Sequence, residues 1–176
     1  MNVDYTLLRR QAEAVLFSLG GPIEEKQLGE TLLLTTSELN AVLRDLAASL
    51  EGRGVMLQRH GTLVQLVTRP EAAEAVRRLL NPEVPGRLSL AAYETLAIIA
   101  YRQPLTKAAI EEIRGVDCER VLTGLLARGL VEETGRMEAP GTPRLFGTTM
   151  RFLQLIGVEN LASLPGVPGA PSVGED

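Results

Sequence analysis

A few side chains in this sequence could do chemistry, and each lacks the company that the chemistry requires. His60 is the sole histidine and stands beside Gly61, in what reads as a hairpin turn. A metal site needs further ligands at set spacing, and no second histidine, cysteine pair or ordered set of carboxylates accompanies it. His60 is therefore expected to be a solvated turn residue. Cys118, the sole cysteine, falls at the start of a predicted helix, where the macrodipole could lower a thiol pKa. A nucleophilic thiol usually needs a basic partner, and the one histidine lies in the other half of the chain. A small, partly buried side chain is the expectation. Glu111–Glu112 and Glu132–Glu133 are sequence neighbours, which point to different faces of a helix or strand and so cannot converge on one substrate atom. The glycines of 135–141 do not spell GxxxxGK[ST] and precede a strand instead of a helix, which fits a wing loop better than a phosphate cradle. These residues form no catalytic constellation and call for no cofactor or metal. The expected protein is a binding module, not an enzyme.

The elements that would carry such a module can be read from periodicity. Tyr5, Leu8, Ala12, Val15, Leu16 and Leu19 recur at helical spacing until Gly20-Gly21-Pro22 stops the helix. A shorter helix covers Glu24 to Leu32. Thr35-Thr36-Ser37 offers N-cap hydroxyls to a third helix with Leu39, Val42, Leu43, Leu46 and Leu50 inside. Two β-rich runs, Val55–Arg59 and Leu63–Thr68, follow in hairpin fashion. Thr68-Arg69-Pro70-Glu71 reads as a capping box opening a helix to Leu80, with Ala72, Val76, Leu79 and Leu80 on its apolar face.

Asn81 to Gly86, with two prolines and a glycine in six residues, suits an extended connector. The same order of elements then returns. Ser89 caps a helix so continuously apolar that it is expected to be buried on most sides, ending at Pro104. Thr106 caps a short second helix that stops at Gly115, and Asp117 a third that stops at Gly129. Gly124 lies inside that third helix, at a cost of about 1 kcal/mol against alanine unless a neighbouring backbone needs the space. A strand Leu130–Glu133, a loop 135–143, a return strand Arg144–Thr148 and a helix Thr149–Ile156 close the unit. The predicted fold is mainly α with small β-wings (α+β), as two tandem winged-helix domains. Their expected bounds are 1–80 and 88–164, with a disordered tail over 165–176.

Charge bears on the rival reading, a dimeric winged-helix regulator that binds DNA. Residues 1–80 carry 9 basic and 10 acidic side chains, and residues 81–164 again 9 and 10. Neither half has the basic excess of a chain that neutralises many phosphates. Aromatics at 3% without tryptophan disfavour base-stacking platforms. Winged helices often read DNA with the third helix. Here the first such helix exposes Glu38, Asn40, Arg44 and Asp45, and the second opens on Asp117 and Glu119. Direct DNA contact is expected to be weak or absent. No run approaches the roughly 18 apolar residues of a membrane span, the N-terminus does not read as a secretory signal, and one cysteine suits a reducing compartment. A cytoplasmic address is expected.

The second half also carries matching words: Glu94 through Pro104 (ETLAIIAYRQP), Ile113-Arg114-Gly115-Val116, Leu125 through Leu130, Gly135-Arg136, and Pro140 through Thr149 (PGTPRLFGTT), then Phe152-Leu153. In order and spacing these resemble the segregation and condensation protein B family, the winged-helix subunit of bacterial condensin-type complexes. The first half agrees more loosely, through Leu16-Phe17, Gly20, Pro22, Glu51 through Gly54 and Gln65 through Glu71. Two positions depart from the family: Phe146 where tyrosine is common, and Gly166 where a second proline is common.

The resemblance implies a non-enzymatic adaptor in chromosome condensation and segregation, associated with the nucleoid. It implies a homodimer joined through the N-terminal domains. It also implies a kleisin partner (segregation and condensation protein A), and through it the structural maintenance of chromosomes ATPase. Tyr101, Gln103, Arg136, Leu145, Phe146 and Phe152 are expected to contact the partner in the C-terminal domain, on or beside its wing. The apolar run Leu32-Leu33-Leu34 is expected at the dimer interface.

Overall fold

The structure, a computed structural model, describes residues 5–80 and 87–166. The connector expected at 81–86 and residues 167–176 of the expected tail lie outside the described residues. The first unit opens with α1 (Tyr5–Leu19), the two-residue strand β1 (Ile23–Glu24) and α2 (Glu25–Leu32). Then come α3 (Thr36–Ser49) and a hairpin of β2 (Val55–His60) and β3 (Leu63–Thr68). A 3-10 turn at Pro70–Ala72 leads into α4 (Ala73–Leu80). After the connector, the order repeats as α5 (Leu90–Arg102), β4 (Leu105–Thr106), α6 (Lys107–Arg114), α7 (Glu119–Ala127), β5 (Val131–Arg136) and β6 (Arg144–Thr148). The chain continues into α8 (Met150–Ile156) and a 3-10 turn at Leu161–Ser163.

Each set of three helices packs against a three-stranded antiparallel sheet, of order β1-β3-β2 in the first unit and β4-β6-β5 in the second. This is the winged-helix arrangement, present twice in tandem. The short strands β1 and β4 have no counterpart in the sequence reading, because two residues carry no periodicity. They tie the start of the second helix of each unit to its wing: Ile23 pairs with Val64, and Leu105 with Phe146.

Leu16, Leu28, Leu43, Leu46 and Val64 fill the first core, and Leu96, Ile99, Ile110, Leu125 and Leu153 the second. Most helix starts follow the predicted hydroxyls. Thr35 makes a complete capping box with Glu38, and Ser89, Thr106 and Thr149 each accept from the backbone N–H three residues on.

Several expectations are corrected. The residue before the Pro70 turn is Arg69, whose side chain caps nothing, so Thr68 opens no capping box. Asp117 does not cap α7 in the expected way. The N-cap is Cys118, whose backbone N–H donates to Glu111 Oε1 of α6 at 3.0 Å, while Asp117 Oδ1 accepts only from Glu119 N–H. The helix α4 has an amphipathic pattern, but none of its residues is buried and Leu79 and Leu80 stand in solvent. Nor is α5 buried on most sides: Leu90, Tyr93 and Tyr101 are exposed along one face. At Gly124 no neighbouring backbone approaches, and an added Cβ would meet only the Arg128 guanidinium at 3.5 Å. The helical cost of that glycine is simply tolerated. Gly147 is different. A Cβ there would lie 2.7 Å from Thr134 Cγ2 and 2.9 Å from Gln103 Oε1, so the wing closes against Gln103 only with glycine at this position.

Candidate partner-binding surfaces

The residues singled out for chemistry become structural once the chain is folded. His60 is not a solvated turn residue. It ends β2, half-buried, with Nε2 3.0 Å from Thr148 Oγ1 of the second unit. Burial pushes its pKa down, opposed by the Glu132 charge. Cys118 is buried against the second core. Burial, helped by the Glu111 carboxylate, pushes its thiol pKa up despite Lys107 and Arg114 nearby, which is the opposite of an activated nucleophile. Among the described residues, no group of three or more His, Cys, Asp or Glu could hold a metal ion. No described helix is long and apolar enough to cross a membrane.

The six residues expected at a partner surface separate into four kinds. Phe146 and Phe152 are core residues, 5% and 3% exposed, packed with Leu96, Ile99 and Leu153. Both rings pack inward, and Phe152 also lines the base of the apolar groove that Tyr93, Ala97 and Tyr101 border. Leu145 is half-buried in β6. Gln103 works as a piece of backbone. Its Oε1 accepts from Thr148 N–H at 2.6 Å and its Nε2 donates to Thr148 Oγ1 at 2.9 Å, prolonging the β4–β6 pairing. Its polar atoms are spent inside the chain.

Tyr101 and Arg136 remain accessible, but the fold does not bring them together. Arg136 pairs with Arg144 at the tip of the wing, about 13 Å along the strand from Thr148 at a strand rise of about 3.3 Å per residue. Glu133 lies 3.4 Å from the Arg136 guanidinium and 3.6 Å from that of Arg144, so one carboxylate is shared between two guanidiniums at the wing tip. Tyr101, by contrast, lies on an apolar groove between α5 and α8. Tyr93, Ala97 and Tyr101 line one side, Leu155 and Ile156 the other, and Leu164 and Pro165 one end. The Tyr101 hydroxyl donates to the Pro165 carbonyl at 2.6 Å. Aromatic side chains with a polar tip beside an apolar floor are favourable anchors for a partner segment. The signal for this groove is present in the sequence as Tyr93, Ala97 and Tyr101 at i, i+4 and i+8.

In the first unit the Leu32-Leu33-Leu34 run also divides. Leu32 and Leu34 are half-buried against the core. Leu33 is 92% exposed and holds the left-handed C-cap of α2 at φ 57. A bulky side chain at positive φ is an outlier where glycine or asparagine is usual. Here it also leaves a leucine in water. Exposure and positive φ together set Leu33 apart from Leu32 and Leu34. The outer face of α1 adds Leu7, Leu19 and Phe17, the last 81% exposed, and Phe17 borders a second apolar groove with Val55 and Val67.

Neither third helix presents a basic face. Asn40 of α3 is taken up by Arg59 at 2.7 Å, and Arg59 is itself paired with Glu25. At the start of α7, Lys107 is held by Glu119, Glu111 and Asp117, with its pKa raised chiefly by the Glu119 contact.

Two tandem winged helices, each with open apolar surface, make up the described chain. The family model for segregation and condensation complex subunit ScpB matches residues 10–167. Segregation and condensation protein B of Symbiobacterium thermophilum is 48% identical over 157 residues, covering 88% of this chain and 71% of that protein. Its counterpart in Moorella thermoacetica is 47% identical over 161 residues, covering 90% and 82%. Among solved structures, ScpB from Mycobacterium tuberculosis is 34% identical, covering 90% of this chain and 99% of that one, with a TM-score of 0.43. A dimer of the ScpB N-terminal domain complexed with ScpA peptide is 26% identical, covering 44% of this chain and 99% of that one, with a TM-score of 0.41. The chain belongs to the segregation and condensation protein B family. It is a non-enzymatic subunit that serves chromosome segregation and condensation.

Proposed function

We propose that the chain acts as a homodimeric adaptor that grips the kleisin subunit of a structural-maintenance-of-chromosomes complex. In this reading residues 1–80 dimerise and residues 88–164 bind the kleisin. The single observation that carries the kleisin part is the apolar α5–α8 groove beside Tyr101, an open surface of a shape and composition suited to an apolar segment. The kleisin in turn links the dimer to the ATPase, and the adaptor sits with the complex on the nucleoid. The charge-balanced third helices make direct DNA contact weak and insensitive to sequence.

Calorimetry with the middle segment of the kleisin and the full chain tests the groove. A hot-spot tyrosine costs at least about 2 kcal/mol when truncated, roughly thirtyfold in affinity. Tyr101→Ala should show such a loss with the dimer intact. Arg136→Ala, at a wing tip away from the groove, should bind nearly as the parent does. In the ScpB structure with a ScpA peptide, an N-terminal-domain dimer is what the peptide accompanies, so the α1 face is the second surface to probe. A loss for Phe17→Ser with Tyr101→Ala neutral would move the kleisin site to the first domain and overturn the groove assignment.

A further inference from the structure

Between the two winged helices the chain makes a joint that the adaptor role does not require. The sheet order β1-β3-β2 leaves β2 as an edge strand, and an edge strand offers unpaired N–H and C=O groups to whatever lies beside it. Here the segment after α8 takes that edge. The Arg59 N–H donates to the Glu159 carbonyl at 2.9 Å, and the Gln58 Nε2 donates to the Val158 carbonyl at 2.7 Å. Arg69 reaches the Glu159 carboxylate at 3.3 Å, and His60 meets Thr148 at 3.0 Å. Leu63 of β3 packs against the second core.

We propose that residues 157–159 are a reversible clasp that captures the free edge of the first wing and fixes the angle between the two winged helices. The polar character of the joint gives it reversibility. Gln58 and Gln65 are both buried, with Gln65 Nε2 donating to Gln58 Oε1 at 3.1 Å. Closed, the pair is satisfied through Val158; open, the same amides can turn to water, where leucines would not. Interfaces between domains of one chain that move are polar in this way. The fit is nevertheless close. Gly157, at φ +74, has Pro70 Cγ at 2.5 Å from where a Cβ would stand, so any side chain there is a wedge. Val158 also lines the α5–α8 groove, so clasp and groove share one segment. In a dimer the clasp sets how far apart the two C-terminal units are carried.

The full-length chain tests this by amide hydrogen exchange and X-ray scattering. In the parent, the Arg59 amide should exchange at least about tenfold more slowly than an unpaired edge amide. Gly157→Ala should abolish that protection and raise the radius of gyration, while the amides of β3, the central strand, stay protected. Pro70→Ala combined with Gly157→Ala removes the clashing Cγ and should restore both readings. Gly115→Ala, at φ +71 with open space around it, carries the backbone strain without the wedge and should leave Arg59 protected. An Arg59 amide that exchanges freely in the parent overturns the clasp, and that measurement stands even if Gly157→Ala does not fold. So does a wedge variant that keeps Arg59 protected, a double variant that folds without regaining protection, or an equal loss in Gly115→Ala.

Discussion

His60 touches both winged helices, so a single ring reports on the joint. Its pKa is pushed below the ordinary 6.5 by burial, while Glu132 pulls it back up. A folded-state pKa below the unfolded one means that the unfolded chain binds the proton more readily. The stability linked to the neutral ring is therefore whole above pH 6.5 and is lost as pH falls through the folded value. Because it is the sole histidine, its ring resonances need no assignment by mutagenesis. An NMR titration should give a midpoint below 6.5, and Glu132→Gln should lower it further by removing the charge that favours imidazolium. A midpoint at or above 6.5 would mean that the ring is in water and the Thr148 contact is open. The bonds of Gln103 to Thr148 belong to the same scale. A glutamine side chain can donate and accept at once, so it can replace a missing strand residue, and nothing in its sequence context says that it will.

At the scale of elements, capping chemistry did most of what the sequence promised. Thr35 accepts from Glu38 N–H, and Glu38 Oε2 accepts from both Thr35 N–H and the Thr35 hydroxyl at 2.9 and 2.7 Å. These bonds hold the Glu38 carboxyl below its ordinary range. Thr35→Ala removes a helix cap worth about 1 kcal/mol, so the melting temperature should fall by about 2–4 °C for a chain of this length. The difference between variant and parent should narrow as pH falls below 4.5, because a carboxylate depressed in the folded state stabilises above its unfolded pKa and ceases to do so when protonated. An unchanged gap in acid would show that Glu38 takes no part in the cap. The opposite lesson comes from α4. Its pattern is amphipathic, yet Leu79 and Leu80 meet no described neighbour that buries them. Periodicity says which face is apolar, not what covers it.

For the whole molecule the sharpest expectation concerns Leu33. At 92% exposure and positive φ it supports nothing in its own fold, so Leu33→Asp should leave the chain folded by circular dichroism. Aspartate also tolerates the left-handed conformation better than leucine. If Leu33 lies at the dimer contact, light scattering at micromolar concentration should fall from twice the chain mass to one. A variant that remains dimeric would place the contact elsewhere, with the α1 face around Phe17 the next to test. Unfolding would contradict the exposure itself.

Sequence by itself determined the helices, most of their caps, the two hairpins and the repeat of their order, because each rests on residues within a few positions of one another. The words from Glu94 to Leu153 carried the family. Only tertiary structure decided which apolar residues are core and which are surface. Phe146 and Phe152 went inward, while Tyr101 and Leu33 stayed out, although all four were expected at contact surfaces. It alone decided the pairing of β1 and β4, the Glu111 cap on Cys118 and the meeting of β2 with the segment after α8. Those contacts join residues up to a hundred positions apart, and a local pattern holds no information about which distant surface will arrive to meet it.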